Sequence, residues 1–380
     1  MHKLDTVLAQ DIVNRTMRII PFNINVMDAK GVILASTDPA RIGELHAGAL
    51  LALAKQRTVE IDSAAANNLH GAKPGINLPL TVNGQICGAL GLSGAPDEVR
   101  QFGELVRLAA EMILEQASLA GELQRASRYR EALVLNLIRY DASARAELVA
   151  WGGRLGIDFQ RTQVVYLLEL HSADAELALA EIQRLQMRIL ARQPAALAAT
   201  VGPCEMVVLD SWDAPRKGPD AAPGKRLQAL SALLREESAL PFTLAMGIAL
   251  PGIEAAAISY QSARTTARLG RGRQPQQDTF SYGELALPVL LSGLDTGWQA
   301  QQLRAPLAAL ADEKNRGMLR RTLDAWFAHD ENSAATAAAL QIHRNTLDYR
   351  LRRIGELAGL DLARNEDRLR LYVASLLSPA

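Results

Sequence analysis

The stretch Asn332–Leu362, NSAATAAALQIHRNTLDYRLRRIGELAGLDL, decides how this chain is read. Its first part is nearly pure alanine. Ala334, Ala335, Ala337, Ala338 and Ala339 carry little bulk, so a helix from about Ser333 to Ala339 lets a second helix cross it closely at a steep angle. Ser333 is the expected N-cap. Leu340 and Ile342 flank the turn and are expected to point inward, and the second helix begins near His343. On it Leu347, Leu351 and Ile354 fall at i, i+4 and i+7, the spacing of one buried face. The opposite face carries Asn345, Asp348, Tyr349, Arg352 and Arg353, with Thr346 at its flank. The first turn, His343-Arg344-Asn345-Thr346, is polar, as in a recognition helix that meets base edges in the major groove. Arginine pairs with guanine and asparagine with adenine, while hydroxyls and further arginines hold phosphates. The alternative is an ordinary helical hairpin with a solvated outer face. The coincidence of alanine helix, short turn and polar face favours a helix-turn-helix.

The run HRNTLDYRLRRIGELAGLDL, followed by EDRLRLYVA, resembles the C-terminal domain of PucR-type and carbohydrate diacid regulators. It is similar, more loosely, to the Fis-type DNA-binding helix pair. The polar first turn and outer face make His343, Arg344, Asn345, Thr346, Tyr349, Arg352 and Arg353 the candidate DNA contacts.

A chain of 380 residues can hold two or three domains with proper cores. Lys+Arg and Asp+Glu both count 41, so any DNA-binding charge must be local. From His343 to Ile354 four arginines stand against one aspartate, and binding should be salt-sensitive. Two distant cysteines, Cys87 and Cys204, make neither a metal cluster nor a disulfide framework, which fits a reducing cytoplasm. The start, MHKLDTVLAQDIVNRTMRII, reads as an amphipathic helix rather than a signal peptide. No apolar run approaches the ~20 residues that span a bilayer, so a soluble protein away from membranes is expected.

In the N-terminal part, a strand Asn23–Met27, a turn Asp28–Gly31 and a strand Val32–Ala35 form a first hairpin. A helical section from about Gly43 to Lys55 and a strand Thr58–Ile61 follow. GINLPLTVNGQICGALGLSG, Gly75–Gly94, folds back at Asn83-Gly84, a strong hairpin signal. The pattern suggests a small α/β sensor sheet, like PAS or Cache domains. Three polar elements are candidate ligand contacts: Ser36–His46, His70–Asn77 and Gly91–Gly94. Arg41 and His46 offer cationic or donor groups on a segment leading into a helix, where a carboxylate docks well. Equally, Arg41 could be a surface arginine, His46 a core or cap histidine, and Asn77 a partner for backbone groups.

Residues 1 to about 138 resemble the sugar-diacid recognition domain over its whole length, on QDIVNRTMRII, NINVMDAKGVILASTDPARIGELHAGAL and GINLPLTVNGQICGALGLSG. The resemblance implies an aldaric acid such as glucarate or galactarate, or glycerate, as effector. Ligand roles carry to Arg41, His46, Gly75 and Asn77, with Ser93 the weakest.

Pro96 and Asp97-Glu98 suit a helix start, and a helix to about Tyr140 is expected. Phe102, Leu105, Val106, Ala109, Met112, Ile113, Leu119, Leu123, Ala126, Leu133 and Leu137 form one apolar stripe, interrupted by Gln116 and Arg130. Such a helix could pair with its copy or pack on its own domain. Dimerisation is favoured, because a helix-turn-helix usually reads two half-sites.

From Trp151 to Leu287 the order β-α-β-β-α-β-α predicts a ferredoxin-like plan. It resembles the GGDEF-type nucleotide cyclases. At the position of their signature stands Gly202-Pro203-Cys204-Glu205-Met206, with proline for the second glycine and cysteine at the metal-binding acid. One carboxylate is too few for two-metal phosphoryl transfer, so a degenerate, non-enzymatic scaffold without cofactor or metal is expected. Arg271–Pro275 reads as a solvated basic connector. Leu319, Leu323, Trp326 and Phe327, then Leu369, Tyr372, Val373, Leu376 and Leu377, are expected stripes around the reading unit. Asn365 is the expected cap of the last helix.

The expectation is a multidomain α+β chain: sensor at 1–138 with its helix from about 98, degenerate GGDEF-like domain at 145–287, and an all-α helix-turn-helix at 300–380. The family resemblance implies a cytoplasmic transcription activator of sugar-diacid uptake and breakdown. Operator DNA, the diacid or glycerate, a second copy and RNA polymerase are its partners. The rivals are a ligand-independent Fis-like DNA binder and a purine-nucleotide cyclase.

Overall fold

A computed structural model describes residues 4–66, 73–212, 222–294, 297–308, 310 and 315–377. The chain divides into two compact units, Met1–Arg128 and Tyr129–Ala380.

The first unit runs α1 (Thr6–Thr16), β1 (Asn23–Asp28), β2 (Ile33–Ser36), α2 (Ala47–Lys55), β3 (Val59–Ile61), α3 (Ser63–Ala66), β4 (Gly75–Val82), β5 (Gln85–Ser93) and the start of α4 (Pro96–Arg139). The strands make one antiparallel sheet in the order β2-β1-β5-β4-β3. Both expected turns are present: Gly31 has φ +79°, and Asn83-Gly84 has φ +50° and +75°, the left-handed pair that suits a two-residue hairpin. Strand alternation divides the faces. Ile24, Val26, Ile76, Leu78, Leu80, Leu90 and Leu92 enter a core closed by Ile12 and Val13 of α1 and by Val99, Val106, Ala110 and Leu114 of α4. The other face carries Met27, Ile33 and Ala89 under Ala49 and Leu53 of α2, and beside them a polar zone.

The second unit continues with α5 (Arg145–Arg154), β6 (Thr162–Leu170), α6 (Ala175–Arg192), β7 (Leu197–Gly202), β8 (Glu205–Trp212), α7 (Ala222–Glu237), β9 (Phe242–Met246), β10 (Leu250–Pro251), α8 (Ala255–Arg273) and β11 (Thr279–Ser281). Its sheet order is β11-β9-β6-β8-β7. Numbered among themselves, the four long strands lie 4-1-3-2, the ferredoxin-like order that the sequence predicts, and β11 joins in parallel beside β9. Central β6 is apolar from Val164 to Leu168 because both faces of that run are covered. Val164, Tyr166 and Leu168 meet α6 and α7, while Val165 and Leu167 meet α8 and the end of α4.

The remaining helices are α9 (Ala286–Leu291), α10 (Trp298–Ala308), α11 (Arg316–Ala328), α12 (Ser333–Ala339), α13 (Arg344–Ala358) and α14 (Asn365–Leu377). Leu307, Leu319, Leu323, Trp326, Ile354, Leu371 and Ala374 share their core.

Several local expectations are corrected. The N-cap of α12 is Asn332, whose Oδ1 accepts from the Ala335 amide, and Ser333 is the first helical residue. In α14 the buried stripe is Asp367, Leu371, Ala374 and Leu377, and Leu369 faces solvent. Asn365 is its first residue rather than its cap, and its Oδ1 accepts from the Arg368 guanidinium. Arg271–Arg273 are the last turn of α8: Arg271 pairs with Glu169 at 3.1 Å, and Arg273 donates to the Leu376 carbonyl at 3.0 Å. That stretch is therefore a helix end held by two contacts rather than a loop, and its residues remain exposed to solvent. The predicted single stripe of α4 is two: Val106 is buried, while Leu105, Met112, Leu119 and Leu123 are exposed.

Candidate functional site

The polar zone of the first sheet follows from strand register. Asn25 of β1 lies opposite Ser36 of β2 and Gly91 of β5, and Gly91 lies opposite Asn77 of β4. One rung further, Asn23, Ser93 and Gly75 are aligned. The two rungs put Ser36, Asn25, Gly91 and Asn77, then Asn23, Ser93 and Gly75, on the face away from the α1–α4 core. Asn25, Ser36 and Asn77 are buried there. Ser36 donates to Asn25 Oδ1 at 2.6 Å. Asn77 is only 2% exposed, and its Oδ1 has no hydrogen-bond partner among the described residues. A buried acceptor left unpaired costs roughly 1–3 kcal/mol, so this atom is poised for a donor.

The N-terminal end of α2 covers this zone. Its closest approach is at Gly48, where a Cβ would lie 2.5 Å from Asn77 Nδ2 and 2.7 Å from Ile61 Cδ1. Gly91 is similarly constrained, since a Cβ there would lie 3.1 Å from Asn77 Oδ1. His46 caps the helix, its Nδ1 accepting from the Ala49 amide at 3.2 Å. Arg41 ends a 3-10 turn capped by Asp38, and its largely covered side chain pairs with Glu44 at 3.6 Å. Burial, and next the Arg41 charge, lower the His46 pKa to about 4. The ring is therefore neutral at pH 7, with Nδ1 the acceptor and Nε2 carrying hydrogen.

The structure thus gathers Gly75, Asn77 and Ser93 on two rungs of one face, with His46 and Arg41 at the helix end above it. His70, Gly71 and Ala72 lie outside the described residues. Asn25 and Gly48 lie outside the polar elements read from the sequence, while Ser36 and Gly91 stand at the ends of two of them. The signal was there in the alternation of Asn23-Ile24-Asn25-Val26 and Ala89-Leu90-Gly91-Leu92-Ser93, where every second residue is polar or small, although Met27 breaks it. A separate cleft of about 620 Å³ lies at the opposite end of the sheet, lined by Asp28, Lys30, Asn83, Gln85, Ser118 and Arg125 among others. It touches none of the expected ligand residues.

The His46 environment predicts a pH effect. A histidine whose folded pKa is depressed contributes fully above its unfolded value, and the contribution is lost as pH falls toward the folded value. The window runs from 6.5 down to about 4, and the loss across it is about 3 kcal/mol. Urea midpoints measured between pH 7.5 and 4 should fall, and His46→Gln should flatten that slope.

In α13, His343 is the N-cap, its Nδ1 accepting from the Asn345 amide. The turn before it is closed by Gln341 in the left-handed region at φ +53°. Leu347 and Ile354 are fully buried, Leu351 is half-buried, and Gly355 lies so close to the Leu360 carbonyl that a Cβ would come within 2.8 Å. These contacts fix the rotation of the helix. Arg344, Asn345, Thr346, Asp348, Tyr349 and Arg352 are consequently exposed, Tyr349 by 67%, while Arg353 is half-buried and pairs with Glu356. Arg350 points inward instead, donating to Thr322. Thr336 and Ala337 are the α12 residues buried in the motif. Leu340 and Ile342 are half-buried.

At the β7–β8 hairpin, Glu205 lies opposite Glu169. The Tyr260 hydroxyl donates to Glu205 at 2.6 Å, and Arg271 holds Glu169. Both carboxylates thus have neighbours from α8. Among the described residues no group of three or more His, Cys, Asp or Glu could hold a metal ion, and no helix is long and apolar enough to cross a membrane.

A helix-turn-helix set on a firm core, with a polar outer face, defines a DNA-binding transcription regulator. Three family models match the chain: sugar diacid recognition over residues 4–137, GGDEF-like domain over 140–269, and PucR C-terminal helix-turn-helix domain over 319–377. The chain belongs to the carbohydrate diacid regulator family, being 48% identical over 380 residues to the carbohydrate diacid regulator of Escherichia coli strain K12, across 98% of this chain and 97% of that one. An uncharacterized protein of Haemophilus influenzae is 35% identical, covering 99% of both chains. The transcriptional activator PmfR of Paenarthrobacter nicotinovorans is 49% identical over 57 residues, 15% of this chain and 12% of its own.

Proposed function

We propose that this chain is a cytoplasmic transcription activator that binds a sugar diacid, or glycerate, in its first unit and operator DNA through α13. Domain limits of 1–138, 145–287 and 300–380 suit that division of labour. The sheet order and its polar face support a PAS- or Cache-like sensor at the N-terminus. The observation that carries the effector reading is the buried rung Ser36-Asn25-Gly91-Asn77 beneath the start of α2. Asn77 Oδ1 needs a donor, and an aldarate hydroxyl provides one. Carboxylates fit the first-turn amides of α2 and the Arg41 guanidinium. Gly75, Gly91 and Gly48 let the ligand and α2 approach the sheet, and neutral His46 and Ser93 add donors. Binding shifts the population of a homodimer, changing how two copies of α13 meet an operator and how the complex engages RNA polymerase. His343, Arg344, Asn345 and Thr346 read bases, while Tyr349, Arg352 and Arg353 hold the backbone. The middle domain is a scaffold without enzymatic activity, since Pro203 and Cys204 remove a phosphate-cradling glycine and a metal acid.

Calorimetric titration with glucarate, galactarate, glycerate and unhydroxylated adipate tests the effector reading. Saturable binding of a hydroxylated acid is expected, with adipate weaker by about tenfold or more because Asn77 stays unpaired. Arg41→Ala should cost about 1.5–3 kcal/mol of that affinity. Equal heats from adipate, or unchanged affinity in Arg41→Ala, would place the ligand elsewhere, the Lys30–Arg125 cleft being the next candidate.

A further inference from the structure

Helix α4 shows an apolar face that stays exposed among the described residues. Leu105, Leu108, Met112, Leu119 and Leu123 are between 55% and 73% exposed. At 100° per residue they fall, with Gln116 and Ala126, in an arc of about 80°. The face toward the core is a different one, formed by Val99, Val106, Ala110 and Leu114. The steps 3-4-4-3-4-3 from Leu105 to Ala126 are those of a helix–helix seam rather than of a solvated face. Large aliphatic residues repeated along a solvent arc mark an interaction surface.

We propose that this arc pairs with α4 of a second copy, parallel and in register. The proposal deepens the homodimer of the functional reading and rests on it. Charge selects both the occupant and its direction. One edge of the arc is acidic, with Glu104, Glu111, Glu115 and Glu122. Arg107 holds the first two, and Glu115 and Glu122 make no ion pair among the described residues. The other edge is uncharged, with Ala109, Ala120 and Ser127. In a parallel two-fold pair opposite edges meet, so each acidic edge lies along the partner's small, neutral one. In an antiparallel pair like edges meet, and Glu115 and Glu122 would face the partner's acids. A parallel, in-register pair also sets Gln116 against its own copy, where the two amides bond to each other. A slip would bury each amide against leucine, so Gln116 fixes the register as a lone polar residue does in a zipper.

Single-cysteine insertion in the full chain tests this directly. Leu105→Cys and Leu123→Cys are oxidised separately and as a mixture, without diacid or DNA, and the disulfides are mapped by mass spectrometry so that native Cys87 and Cys204 stay in place. The two positions are ~27 Å apart along one helix, far beyond disulfide reach. Self-cross-links in most of the chain for both single variants are expected. Cross-links found only between Leu105→Cys and Leu123→Cys in the mixture would establish an antiparallel pair and overturn the proposal. Absence of any cross-link at either site, with the chain dimeric or monomeric by sedimentation, would overturn it too. Because no diacid is present, a failure here leaves the effector reading untouched, and a cross-linked protein that ignores every diacid would sink that reading alone.

Discussion

Replacing Arg344 and Asn345 together by alanine should lower operator affinity by about two to four orders of magnitude, from roughly 1–3 kcal/mol for each base-reading side chain. Both residues lie exposed in the first turn of α13, away from Leu347 and Ile354, so the fold should hold. The backbone donor that His343 caps is the amide of residue 345, which alanine keeps. Thermal melting and diacid titration should therefore match those of the unaltered chain. Fluorescence anisotropy on a selected operator duplex, at one stated salt concentration, reads the change. A loss below about threefold would mean that this turn does not read bases, whatever its exposure.

The second large effect is at Gly48. Valine there would drive Cβ into Asn77 Nδ2 and Ile61 Cδ1, and the side chain beyond it would push the end of α2 off the sheet. Overpacking of this kind costs about 1–3 kcal/mol, a measurable drop in the urea midpoint. If the polar rung is the effector site, diacid binding should vanish as well, because the helix amides and Asn77 no longer converge. Operator binding without effector should persist, since α13 belongs to the other unit. A stable Gly48→Val chain that binds diacid at full strength would remove Gly48 and Asn77 from the site.

Most of the fold could be read from the sequence because its elements announce themselves. Asn83-Gly84 marks a hairpin that forms with the expected left-handed pair. The apolar run of β6 signals a strand covered on both faces. The i, i+4, i+7 spacing in α13 sets which side is buried. What escaped reading depends on contacts that no local pattern encodes. In α4, apolar residues occur on two faces, and only the packed core shows that Val106 goes in while Leu105 stays out. In α14, Leu369 has the right period but the wrong phase, because Leu371 and Ala374 are the residues that meet α10 and α11. Arg271 looked like loop charge until Glu169, a hundred residues earlier, came into range. The candidate pocket was half legible. Arg41, His46, Gly75, Asn77 and Ser93, with Ser36 and Gly91 at the ends of their segments, were visible as polar or glycine punctuation, whereas Asn25 joined them only through cross-strand register, and Gly48 only through its approach to Asn77.

The central claim is that the first unit's ligand governs the second unit's hold on DNA. Its most direct test is the dissociation constant for a duplex selected from a random pool, measured by anisotropy at zero and at saturating diacid. The account predicts a shift of about fivefold or more, the scale of a coupling of roughly 1–3 kcal/mol, and its disappearance in Arg41→Ala. An identical dissociation constant with and without every acid that binds would contradict it, leaving a DNA-binding protein whose N-terminal unit does not speak to its recognition helix.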